Sequence, residues 1–302
     1  MNKPYFKMLV GLPGSGKSTL AQNIKNNNQN TIICSSDAIR KEIFGDINNQ
    51  EHNDEVFKIL HKNIKENLKQ GINVVMDATN LNSKRRRTIL SELKNIPCIK
   101  ECLIVAIPFS ECCKNNELRE RKVPDIVMRK MYLNWNTPYW FEGWDTIALH
   151  NNIVNYNDSI YNWINENIKF NQDNPYHCHS LGEHCKIVGD KLSNVPSLYY
   201  AGLLHDCGKP FTKSFINSKG EKTDIAHYYN HQNIGAYDSL FFDIPWIYKI
   251  DVSILINLHM TPYFWEKDIE HGEKTRLKYQ KLWGQKLYEN VMTLHLVDKN
   301  SH

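Results

Sequence analysis

Nine residues near the start of the chain, Gly11-Leu-Pro-Gly-Ser-Gly-Lys-Ser-Thr19, complete the pattern Gly-x-x-x-x-Gly-Lys-Ser. That pattern, the Walker A loop, wraps a nucleoside triphosphate: backbone N–H groups surround phosphate oxygens at the positive end of the following helix. Lys17 then reaches the β and γ phosphates, and the Ser18 hydroxyl holds Mg²⁺. The predicted ATP site is Gly11, Gly14, Ser15, Gly16, Lys17, Ser18 and Thr19. A different chemistry gathers at the other end, since ten of thirteen histidines fall after residue 170. There His184, the doublet His205-Asp206, His231, His259 and Asp298 follow one another in an ordered series. Imidazoles and carboxylates together suit one or two divalent transition metals such as Mn, Fe, Co or Ni. His177, His179 and His227 lie close enough in sequence to compete for the same role.

The elements that would position these groups read alternately as strand and helix. Tyr5 to Val10 makes an apolar strand before the loop, and Ser18 to Ile24 opens a helix. Thr31 to Cys34 is a second short strand. Ser35-Ser-Asp-Ala-Ile-Arg40 turns from it into a helix, placing Asp37 and Arg40 on one face at the ligand edge of a parallel sheet. Asp37 there is either the base that takes the proton of an acceptor hydroxyl or an N-cap beside a surface arginine. Val56, Ile59, Leu60, Ile64 and Leu68 keep helical spacing. Asn73 to Asp77 is a buried strand ending in a carboxylate, the placement expected for a group acting on Mg²⁺. The run Lys84-Arg-Arg-Arg87 is a solvated face by default, but Arg85 and Arg86 at that edge would meet nucleic-acid phosphates. Cys102 to Pro108 predicts another strand. Glu111 to Val123 predicts a polar helix carrying Lys114, Arg119, Arg121 and Lys122, placed as a lid whose arginine neutralises the transferring phosphoryl.

Four ordered motifs carry a resemblance over residues 5 to 150. They are Gly11 to Thr19, Ser36-Asp37-x-x-Arg40, Asp77-Ala-Thr-Asn-Leu-Asn-x-x-Arg85-Arg86, and Asn116-x-x-Arg119 with Val123-Pro124. Together they resemble the bacteriophage-type polynucleotide 5′-kinase family. The resemblance implies that Lys17 and Ser18 handle ATP·Mg²⁺, Asp37 is general base on a 5′-hydroxyl, Arg40 fixes the acceptor end and Arg119 is the lid arginine. One departure is Asn115, which stands where the family often has a first lid arginine; Lys114 and Arg121 are the candidates to replace it. From Asn174 to the end, the order of histidines and aspartates resembles the HD phosphohydrolase superfamily. Position by position, that resemblance implies one metal on His184, His205, Asp206 and Asp298, a second on His231 and His259 sharing Asp206, and Lys209 neutralising substrate phosphate. The string Leu-Leu-His-Asp-Cys-Gly-Lys-Pro is most similar to HD domains attached to bacterial tRNA nucleotidyltransferases, which implies action on 2′-phosphate and 2′,3′-cyclic phosphate ends.

The fold expected is an α/β P-loop kinase domain, a parallel sheet flanked by helices, over residues 1–165, then an all-α HD phosphohydrolase domain over 166–302. The 302 residues suffice for two cores. A net charge of +4 permits a nucleic-acid partner without demanding one. No apolar run has the length of a membrane span. Eight cysteines without a Cys-x-x-Cys, and no secretory signal, suggest a reduced cytoplasm. A 5′-hydroxyl kinase joined to a metal hydrolase of cyclic, 2′- or 3′-phosphate ends makes an end-healing enzyme for RNA, or for DNA. Its healed ends would pass to a separate RNA ligase, because no Lys-x-Asp-Gly motif is present. The competing readings are a small-molecule or nucleoside kinase fused to an HD nucleotidase, and an ATP-dependent nucleic-acid sensor without catalysis. The oligomeric state is not legible.

Overall fold

The computed structural model describes residues 3–47 and 51–301. They form two compact units: the chain through Met131 with Pro138–Ile153, and Tyr132–Thr137 with the chain from Val154 onward. Residues 154–165, assigned to the first domain from sequence, therefore pack in the second unit. Helix α7 (Ile160–Glu166) does so because the Ile160 amide donates to Asp243 and the Gly182 Cα lies against its last turn.

The first unit is built on five parallel strands: β1 (Tyr5–Val10), β2 (Thr31–Ser35), β3 (Asn73–Asp77), β4 (Ile99–Ile104) and β5 (Thr146–Leu149), in the order β2-β3-β1-β4-β5. Their near-continuous apolar runs, including Phe6, Met8, Leu9, Val10, Val74 and Val75 at 0% exposure, are what a parallel sheet covered on both faces requires. Helices α1 (Lys17–Asn27), α2 (Ser36–Phe44), α3 (Asn53–Lys69), α4 (Ser83–Glu92), α5 (Phe109–Glu117) and α6 (Asp125–Leu133) complete it. In α3 the buried residues are Val56, Leu60, Ile64 and Leu68, four apart as the sequence spacing predicts. Two boundaries differ from expectation. β4 begins at Ile99 and ends before Val105, and α5 ends at Glu117 because the Asn116 side chain folds back onto both the N–H and the C=O of Val123.

The second unit is helical, with α8 (Leu181–Lys191), α9 (Pro196–Leu204), α10 (Lys209–Thr212), α11 (His231–Asp238), α12 (Trp246–Leu258), α13 (Thr261–Lys267), α14 (Gly272–Trp283) and α15 (Gln285–Lys299). A small antiparallel hairpin, β6 (Ser214–Ile216) with β7 (Lys222–His227), interrupts the all-α pattern. α9 and α12 lack a polar stripe and are mostly buried, the position such helices must take. Trp135, fully buried, packs edge-on against Tyr237 within this unit. Among the described residues no helix is long and apolar enough to cross a membrane, and all eight cysteines are free thiols.

Candidate active sites

The first site lies at the carboxyl ends of β2, β3 and β1, three adjacent strands. The register sets Asp77 beside both Leu9 and Ser35, so the groups that follow these strands converge. A cavity of about 680 Å³ there is lined by Gly14, Gly16, Lys17, Ser18, Thr19, Asp37, Arg40, Asp77, Arg85, Arg119 and Arg121, among others. Gly14 and Gly16 have φ of 81° and 93°, a conformation that side chains resist, and a Cβ on Gly14 would strike the Cys112 carbonyl oxygen. Gly11 and Ser15 stand behind this lining: the Gly11 amide donates to Thr79 O, and Ser15 Oγ accepts from Lys17. Lys17 also donates to Leu12 O at 2.7 Å. Burial pushes its ammonium down to about 8, partly countered by the Asp77 carboxylate.

Asp37 and Arg40 are paired, Arg40 Nη1 to Asp37 Oδ1 at 2.8 Å, and Ser35 rather than Asp37 caps α2. Arg40 is buried, with Nη2 on Asn53 Oδ1 at 2.6 Å and an Nε that has no partner. Arg121 adds a second guanidinium to Asp37 Oδ1 at 2.7 Å. Of the two candidates to replace the missing lid arginine, Lys114 pairs with Glu111 on an exposed face, whereas Arg121 enters the cavity. Asn115 donates its side-chain amide to Gly14 O, tying α5 to the phosphate loop.

Arg85 and Arg86 part company. Arg85 is exposed and lines the cavity. Arg86, expected at nucleic-acid phosphates, is instead fully buried. Its guanidinium meets both Glu142 oxygens at 2.7 and 2.8 Å and donates to the Asn80 and Leu81 carbonyls. Helical periodicity turns Arg86 inward where its neighbour points out, and its charge is satisfied by Glu142, 56 residues on in sequence. Asn80, in the left-handed region at φ 52°, pins the loop after β3 to β1 through Leu9 O at 2.8 Å.

The second site lies where helix ends meet. His184 comes from α8, His205 and Asp206 from the turn after α9, His231 from the first residue of α11, His259 from the end of α12 and Asp298 from α15. All six are buried. α8 and α9 approach closely because Gly189 and Gly202 face each other: a Cβ on Gly202 would lie 2.9 Å from Gly189 Cα. A capping box of Ser180 and Glu183 starts α8.

Each of these four imidazoles donates Nδ1–H to a carbonyl: His184 to Ser301, His205 to Gly202, His231 to Tyr228 and His259 to Ile256. That fixes Nε2 as the inward nitrogen, the outer support usual for metal-binding histidines. His184 and His205 meet Nε2 to Nε2 at 3.1 Å, and His231 and His259 at 3.2 Å. Two facing Nε2 atoms repel unless a proton or a cation lies between them. Asp206 serves both pairs, its Oδ2 lying 3.3 Å from His205 and its Oδ1 3.2 Å from His231. Asp298 Oδ1 closes the first group at 3.0 Å from His184. Burial opposes charge on His205, but Asp206 and Asp298 together outweigh it and raise its pKa well above the usual range. His259, desolvated and next to two histidines, is pushed down to about 3 and is neutral. Among the described residues, His184, His205 and Asp206 form one donor group that could hold a cation and Asp206, His231 and His259 a second, with Asp298 Oδ1 3.0 Å from His184 and 3.4 Å from His205. Among the histidines held in reserve, His177 reaches Lys209 at 3.4 Å, His227 bonds Thr223, and the His179 carbonyl accepts from Gln172.

Lys209, also buried, donates to Asp206 Oδ2 and to Gln172 Oε1, both at 2.7 Å. Tyr263 donates to Asp298 Oδ2 at 3.2 Å. Asn53, Arg121, Glu142, Gln172 and Tyr263 are positioning groups that the motifs did not single out, and Asn80 stood in the motif after Asp77 without a role assigned to it. Of the first five, only Arg121 carried a signal, as one of the cations near Arg119.

Residues 7–135 match the AAA domain family, and residues 176–301 match the HD domain family. The chain is similar to the L-seryl-tRNA(Sec) kinase of Methanococcus maripaludis, 27% identical over 142 residues, which is 46% of this chain and 55% of that protein. It is also similar to the protein kti12 of Schizosaccharomyces pombe, 26% identical over 185 residues, 55% of this chain and 65% of that one. The chain thus spans less than two thirds of either relative. A solved structure of a Pnkp1/Rnl/Hen1 complex matches with 26% identity and a TM-score of 0.35, covering 41% of this chain and 42% of that one. The chain carries a P-loop kinase-type AAA domain followed by an HD domain.

Proposed function

We propose that this chain heals broken polynucleotide ends, RNA in preference to DNA, by phosphorylating 5′-hydroxyls with ATP and by removing 2′,3′-cyclic, 2′- or 3′-phosphates. The observation that carries the reading is Asp37, which faces the same cavity as Lys17 with both of its guanidinium partners on Oδ1. Oδ2 is then the oxygen that takes the proton of the acceptor hydroxyl as it attacks the γ phosphorus. Lys17 neutralises the phosphates, Ser18 and Asp77 hold Mg²⁺, and Arg119 with Arg121 covers the charge that develops on the transferring group. Arg40, buried with an unpartnered Nε, fixes the acceptor end. Support for an RNA-borne acceptor comes from the seryl-tRNA kinase relative, whose name places its substrate hydroxyl on a tRNA.

In the HD half, divalent ions when bound would supply Lewis acidity at phosphorus and a more acidic water. His184, His205, Asp206, Asp298, His231 and His259 hold them, and Lys209 places its ammonium against Asp206 for the substrate phosphate. Cleaved RNA presents both kinds of end, and a partner RNA ligase consumes the healed product. The test is to incubate the protein with ATP, Mg²⁺, Mn²⁺ and an RNA carrying 5′-hydroxyl and 2′,3′-cyclic phosphate ends, and then to identify both ends. A 5′-phosphate and a free 3′-terminal diol are expected. Transfer to nucleosides but not to RNA would replace this reading with a small-molecule kinase joined to a nucleotidase.

A further inference from the structure

A second concavity, of about 470 Å³, runs beside the kinase cavity between α3 and α4. Phe57 and Arg85 line both, so the two adjoin at these side chains. From this shared mouth the groove passes Lys58 and His61 and ends at Lys65, Thr88 and Glu92. In a parallel β-α-β arrangement α3 runs into β3 and α4 runs out of it. The N-terminal ends of both helices therefore lie at the ligand edge, and higher residue numbers lie farther out along each. The eight helical rises from Phe57 to Lys65 cover about 12 Å. At about 3.4 Å per stacked nucleotide this spans three to four nucleotides of a single strand.

The lining has the chemistry of a sequence-tolerant single-strand path. The Arg85 guanidinium lies over the Phe57 ring, 5.4 Å from its centroid, and the half-buried ring keeps an edge contact with His61. Bases stack on aromatic rings and on guanidinium planes alike, whatever the base. Three cations, Lys58, Lys65 and Arg85, stand against two carboxylates, Asp54 and Glu92. Glu92 holds His61 and Lys65 in place, at 3.0 and 2.6 Å. With so small a charge surplus, stacking rather than phosphate attraction dominates.

We infer that this groove binds the three or four nucleotides adjoining the phosphorylated 5′ end of a single-stranded acceptor, an assignment that rests on the kinase reading above. The test compares 5′-hydroxyl oligonucleotides of two to ten nucleotides with a nucleoside 3′-monophosphate as acceptors. It uses wild type, Phe57→Leu, which keeps an apolar side chain of similar size, and the surface variant Lys58→Ala with Lys65→Ala. In the wild type, KM should fall with length to about four or five nucleotides and then level off. Phe57→Leu should raise the decamer KM about fivefold or more. The lysine pair should raise it less and leave turnover of the nucleoside 3′-monophosphate unchanged. Equal decamer KM values in all three proteins, or no length dependence in the wild type, would overturn the assignment. If the wild type transfers phosphate to no acceptor, the kinase reading falls. Fluorescence anisotropy of a labelled 5′-hydroxyl decamer then decides the groove: weaker binding by Phe57→Leu upholds it, and equal binding overturns it.

Discussion

Asp37 holds two guanidinium groups on one carboxylate oxygen, and in the reaction proposed above its other oxygen takes the proton. Asp37→Asn keeps the size and the hydrogen bonding of the side chain but not its basicity. It is expected to lower kcat for 5′-phosphorylation by about 10² to 10⁴, with KM for ATP little changed, as steady-state kinetics would show. An unchanged kcat would remove Asp37 from the reaction. Lys17, Asp37, Arg40, His205 and Asp206 each belong to a short local pattern, and the structure sets the first three at one cavity and the last two in one donor cluster. Arg86 shows where such reading stops. A run of four cations gives no sign that one of them is turned inward, since the partner that satisfies it, Glu142, is remote in sequence.

At the scale of elements, the Arg86–Glu142 pair joins α4 to the segment before β5, with neither side chain exposed. Arg86→Met leaves Glu142 buried without its cation, an effect of about 3–5 kcal/mol. Thermal melting should show a large loss of stability, while the surviving folded protein binds oligonucleotide normally. In the second unit the carboxyl of Asp238 is raised to about 7 by burial, although the Tyr132 hydroxyl bonded to it favours the ionised form. The unfolded value is about 4. A raised carboxyl is protonated in the fold, so its contribution to stability is full below about pH 4 and is lost as pH rises toward 7. Asp238→Asn cannot ionise. Its melting temperature relative to wild type should therefore climb between pH 4 and pH 7 and stay level above, by about 2–4 °C for each kcal/mol involved. Strand and helix order was legible because apolar periodicity is local. The end of α5 and the β6–β7 hairpin were not, since the first is set by a side chain reaching back to the backbone and the second is short and largely exposed.

At the scale of the whole molecule, two sets of reactive groups sit in units with separate cores. Lys17→Ala should abolish 5′-phosphorylation and leave phosphate release from 3′ ends at the wild-type rate. Asp206→Ala, which removes the carboxylate facing both histidine pairs, should do the reverse and also lower bound metal, as elemental analysis would show. Loss of both activities from either variant would show that one unit depends on the other. Yet the units are not consecutive stretches of chain. Tyr132–Thr137 leaves the first unit, contributes the buried Trp135 and the Thr137–Ser253 hydrogen bond to the helical one, and is followed by the segment that supplies β5. No single crossover in a gene can then exchange one half for another without leaving an indole unburied or an edge strand missing. A chain ending after Ile153 should therefore expose the Trp135 indole, and one ending before Tyr132 should lack the edge strand, so neither is expected to melt as cooperatively as the whole.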